Sequence, residues 1–82
     1  MNYNEKIYKG LVFAKEGKWH EAHEIAQSKE GHPDFDRLHA LMHRIEGDAF
    51  NARYWYNICK LKVPSVTIDQ EISDLMQIYG PE

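Results

Sequence analysis

Cysteine, proline and long apolar runs are all scarce in these 82 residues, and each scarcity removes a class of protein. The single cysteine, Cys59, excludes an internal disulfide and a thiolate metal cage, and it fits a reducing cytoplasm. No apolar run approaches the ~18–20 residues that a membrane span needs. Basic residues do not predominate: ten Lys and Arg against thirteen Asp and Glu leave a net charge of −3, the opposite of a nucleic-acid-binding face. The five glycines stand singly, so there is no phosphate-cradling loop. The opening MNYNEKIYKG has no basic region followed by an apolar stretch, so no secretory signal is expected. The expectation is a cytoplasmic protein that binds neither membrane nor nucleic acid.

What is present describes a small folded domain. A 43% apolar and 28% charged composition is that of a globular chain. At this length only a little over ~60% of the unfolded surface can be buried, so the core is thin. Charge is unevenly spread. Residues 1–62 hold every Lys and Arg, whereas TIDQEISDLMQIYGPE (67–82) carries Asp69, Glu71, Asp74 and Glu82 and no base. All five histidines lie between His20 and His43.

Apolar residues recur at three and four throughout and never alternate for long, which predicts an all-α chain. Tyr3, Ile7, Leu11 and Ala14 mark a first helix stopped by Gly17. Trp19, Ala22, Ile25 and Ala26 mark a second, ending near Gly31. Pro33 suits the first turn of a third helix, with Asp34 or Asp36 at its positive end. The core face of that helix is Phe35, Leu38, Leu41, Met42 and Ile45, and Gly47 ends it. Asp48 caps a fourth helix bearing Ala52, Trp55, Tyr56 and Cys59, closed by Pro64. Thr67 and Gln70 form a capping box for a fifth, with Ile68, Ile72, Leu75, Met76 and Tyr79 inward and Gly80–Pro81 as its stop. Trp19 and Trp55 read as core and Tyr54 as exposed. The expected architecture is one domain over 1–82: hairpins at about 3–30 and 34–61, stacked on each other, with a capping helix at about 67–79.

Shifting the chain on itself by 30 residues lays LVFAKEGKWHEA (11–22) over LMHRIEGDAFNA (41–52), with Leu, Glu, Gly and Ala in register. Each unit is a helix, a glycine turn and a second helix whose early alanine admits a close neighbour. That is the construction of helical repeats. Gly17-x-Trp19-x-x-Ala22, and Gly47-Asp48 with Ala52, Tyr56, Cys59 and Pro64, resemble the second half of a tetratricopeptide repeat. The first halves depart from it, with lysines and histidines where that family places large apolar residues. WHEAHEIAQ (19–27), LHALMHRIEGD (38–48) and NARYWY (51–56) resemble more closely a family of small all-helical bacterial proteins, over residues 10–60. No activity comes with that family, so the resemblance implies the fold and a bacterial cytoplasmic setting alone.

The chemistry-bearing stretch is LHALMHRIEGD. On a helical wheel His39, His43, Glu46 and Asp36 share one flank of the core face, and Arg37 and Arg44 lie on the other. His39 and His43 at i, i+4 can share one divalent ion, with Glu46 a turn later as a third ligand. His23 and Gln27 on the second helix join this cluster if the hairpins stack. The plainer reading is a polar stripe at a packing boundary, with histidines paired to Asp36 and Glu46 and no bound metal. HEAH is one residue short of the H-E-x-x-H metalloprotease motif, no paired E-x-x-H exists for a di-iron bundle, and the serines lie in no sharp turn. With no complete catalytic motif, the functional expectation is a non-catalytic interaction or dimerisation module, without cofactor, that binds a protein partner or itself. Arg53, Tyr54 and Asn57 are its candidate contact surface. The alternative is a metal- or small-ligand-binding protein, or a hydrolase, using His23, His39, His43 and Glu46.

Overall fold

The computed structural model describes residues 3–80; Pro81, expected to help stop the last helix, lies outside them. Five helices follow one another: α1 (Asn4–Lys15), α2 (Trp19–Gln27), α3 (Pro33–Ile45), α4 (Ala49–Ile58) and α5 (Ile68–Tyr79). The described residues contain no strand. The expected all-α class holds.

The 30-residue offset is physically real at the turns. Gly17 and Gly47 both have left-handed backbone, φ 79° and 84°. Each turn also has the same two bonds: Gly17 N–H to Ala14 O and Lys18 N–H to Phe13 O, against Gly47 N–H to Arg44 O and Asp48 N–H to His43 O. This is the double bond of a Schellman stop, and glycine takes the left-handed position at no steric cost. α4 ends differently from expectation. It stops at Ile58, well before Pro64, through a third such turn in which Leu61 N–H reaches Tyr56 O and Lys60 takes φ 61°. A non-glycine residue there costs roughly 1 kcal/mol.

The first four helices pack pairwise in chain order, α1 also touches α3, and α5 returns to α1 and α3. Thus α5 covers the first hairpin's flank; α4 packs its backbone on α3 and meets α5 through Tyr56, and its far side is uncovered among the described residues. The main core joins Ile7, Leu11, Phe35, Leu38, Leu41, Met42, Ile72, Leu75 and Tyr79. A smaller one gathers Ala40, Ala52 and Tyr56, with Trp55 against it. Small residues set the helix spacing: a Cβ on Gly10 would lie 2.8 Å from Leu38 Cδ2. Trp19 and Trp55, expected as core, are half-buried, and Tyr54 is exposed as expected.

Two polar links fasten α5. Near its start, Glu71 is buried and accepts from Tyr56 OH at 2.6 and 2.8 Å and from Arg44 NH1 at 2.7 Å. Burial, then this hydrogen bond, pushes the Tyr56 pKa up, so the phenol remains a donor. Near its end Tyr79 OH donates to Asp34 Oδ1 at 2.6 Å, and burial and that bond push its pKa up to about 12. The Thr67–Gln70 capping box is half formed. Thr67 accepts from Gln70 N–H, but the Gln70 side chain turns instead to Asp74.

A wheel centred on Leu38, Leu41, Met42 and Ile45 turns Ala40 outward, yet it is fully buried against α4. The reason is that α3 is central and buried on two faces, one toward α1 and α2 and one toward α4. Ala22→Leu, Ala40→Leu and Ala52→Leu are therefore each expected to cost about 1–3 kcal/mol by chemical denaturation. Ala49→Leu on the exposed start of α4 should stay within about 0.5 kcal/mol of the parent.

Candidate metal-ligating site

Three histidines from two helices converge. The i, i+4 spacing on α3 stacks the His39 and His43 rings at 4.9 Å, with 23° between planes. Ala22 and Ala26, both buried, let α2 approach, and the intervening His23 meets the same place. Its Nε2 lies 3.0 Å from His39 Nε2. One ligand nitrogen from each of His23, His39 and His43 lies within 4.8 Å of the others.

Two tryptophans fix these rings. Trp19, one turn before His23, stacks on it at 4.5 Å and donates its indole N–H to Met42 O at 2.8 Å. Trp55 comes from α4 and stacks on His39 at 4.1 Å. Glu46, three residues after His43 and just past the end of α3, pairs with His43 Nδ1 at 2.6 Å. The nitrogen of His43 left for a ligand is consequently Nε2.

Electrostatics keep two of the three imidazoles, His23 and His39, uncharged. Burial, with His23 and His43 close by, pushes the His39 pKa down to about 4. Burial, then His43, lowers that of His23 as well. Both are neutral at pH 7, the form that offers a lone pair. His39 is 4% exposed, and its Nδ1 is buried with no hydrogen-bond partner among the described residues. An unpaired buried polar atom costs roughly 1–3 kcal/mol, which an apolar side chain filling the same volume would avoid.

Of the residues expected here, His23, His39, His43 and Glu46 come together. Gln27 is exposed on α2, one turn too far along. Asp36, expected as a partner of His39, is buried elsewhere and accepts from Gly31 N–H at 3.1 Å, closing the α2–α3 turn. The reason is again the second buried face of α3, which takes Asp36 and Ala40 away from the histidines. Asp48, not anticipated, stands with His43 and Glu46 in a second group of ligand atoms within 4.8 Å. The plate-like role of the two tryptophans was also missed; Trp19 at i−4 from His23 was the available signal. Arg53, Tyr54 and Asn57 are exposed on α4. A shallow groove of about 940 Å³ between α1 and α5, lined by Tyr8, Lys15, Asp69 and Met76 among others, lies on another side and contains no histidine.

The chain matches no protein-family model, no curated protein and no solved structure. Among the described residues no helix is long and apolar enough to cross a membrane.

Proposed function

We propose that the protein binds one divalent transition-metal ion through His23, His39 and His43. The observation that carries this is the convergence of three imidazoles from α2 and α3, two of them 3.0 Å apart, beneath two tryptophan plates. The sequence alone offered three ligands on one helix and a fourth through unproven packing; the packing supplies His23. Uncharged nitrogen ligands suit zinc, copper, nickel or cobalt rather than magnesium or calcium, which take oxygen ligands. His43 with Glu46 behind it is the carboxylate–histidine arrangement that orients a metal ligand and raises its basicity. Three protein ligands leave a coordination position for water or a small ligand, the pattern of sites that do more than hold a fold. A bound ion would supply Lewis acidity there and would lower the pKa of a water in the open position. The chain's own part is to hold three rings oriented and half-shielded from solvent, with His23 and His39 kept neutral.

Calorimetric titration of zinc into tag-free, chelator-stripped protein tests the reading. One site per chain is expected. Glu46→Gln should weaken it about 10- to 100-fold while the melting temperature of the metal-free protein stays put. His23→Gln should weaken it at least as much. If the cluster is only a packing boundary, no heat of binding appears, and His23→Gln changes stability alone.

A further inference from the structure

The outer face of α4 has no neighbour among the described residues. Phe50 is 79% exposed and Tyr54 54%, and Ile58 and Leu61 continue the row. Phe50, Tyr54 and Ile58, four apart, form one stripe along the helix, and Leu61 lies just past its end. Val63 and Val66, both exposed, prolong it into the segment before α5. Contiguous apolar surface of this kind on a small chain marks a contact site rather than ordinary scatter.

Charge on the same face has one sign. Arg53, Lys60 and Lys62 are exposed and make no ion pair among the described residues. No acid occurs between Asp48 and Asp69, and Asp48 is engaged by Asn51 through both its oxygens. An apolar stripe edged by unpaired cations is thus set into a chain whose net charge is −3. We infer that this face docks an amphipathic segment of another protein, one that carries an apolar row at helical spacing flanked by Asp and Glu. A second copy of this chain fits worse. A two-fold dimer through the same patch would set Arg53, Lys60 and Lys62 against their own counterparts, and like-charge contacts cost specificity and affinity. The acidic α5 of a neighbouring copy would match in charge, but Ile78 is the only large apolar side chain exposed on it. The helix-in-groove mode of recognition reads such partners through anchors at i and i+4 with charge setting the register.

Selection of displayed random 16-residue peptides on the zinc-loaded full chain reads the partner's chemistry directly. Parallel selection on the Phe50→Ser, Ile58→Ser double variant serves as control. The expected winners carry apolar residues at helical spacing with acidic flanks. They should bind the double variant at least tenfold more weakly and lose at least tenfold between low and 0.5 M salt, since exposed charge pairs are screened. Unchanged zinc affinity and melting temperature of the variant keep this outcome separate from any failure of the metal site. Enrichment without an acidic bias, no enrichment above the control, or reversible dimerisation through α4 in sedimentation velocity would each overturn the inference.

Discussion

Ending the chain at Pro64 should abolish the fold. α5 delivers Ile72, Leu75 and Tyr79 to the main core, all nearly fully buried. At about 1.5–3 kcal/mol for each such side chain, their loss removes roughly 5–9 kcal/mol. A chain of this size has about 4–12 kcal/mol of total stability, at roughly 0.05–0.15 kcal/mol per residue. The truncation also strips Tyr56 and Arg44 of their shared partner Glu71 and exposes the α1 surface that α5 covers. The truncated chain is expected to show no cooperative thermal transition by circular dichroism and to aggregate. A monodisperse truncation melting within a few degrees of the full chain would mean that α1 to α4 form a self-sufficient unit.

The second large effect sits on one side chain. Glu71→Ala leaves the Tyr56 hydroxyl buried without an acceptor and Arg44 without its carboxylate. Breaking a buried pair by removing one partner costs about 3–5 kcal/mol. Arg44 retains 20% side-chain exposure and can recover some hydration, so a cost of about 3 kcal/mol is expected. For a domain of 60–100 residues that lowers the melting temperature by more than about 10 °C. Glu71→Gln keeps a carbonyl to accept from Tyr56 and from Arg44, and should cost less than half as much. Equal losses in the two variants would place the effect in packing rather than in the hydrogen-bonded charge.

Several helix ends were legible because they have a local chemical cause. Gly17, Gly47, Asp48 and Thr67 act within a turn of their own position, and Pro33 does the same at the start of α3. The inward faces of α1, α2 and α5 were legible too, since each helix has one buried side and a period of 3.6 displays it. α3 defeated that logic. It is buried on two sides, so Ala40 and Asp36, which a one-sided wheel assigns to solvent or to the histidine flank, face α4 and the α2–α3 turn. Lys60 was hidden for a different reason: residue type signals a left-handed turn when it is glycine, and lysine carries no such mark. At the site, His39, His43 and Glu46 are joined by spacing on one helix. The arrival of His23 and of the Trp55 plate depends on how α2 and α4 meet α3, which no local pattern specifies.

Cobalt titration of tag-free, chelator-treated protein is the most direct test of the three-histidine site. Cobalt(II) held by His23, His39, His43 and a solvent ligand is expected to give the visible absorption of a four-coordinate ion. That band should reach its end point at one equivalent per chain and disappear when zinc is added. A spectrum that stays that of the hydrated ion, with the nitrogen chemical shifts of the three imidazoles unmoved by either metal, would contradict the assignment.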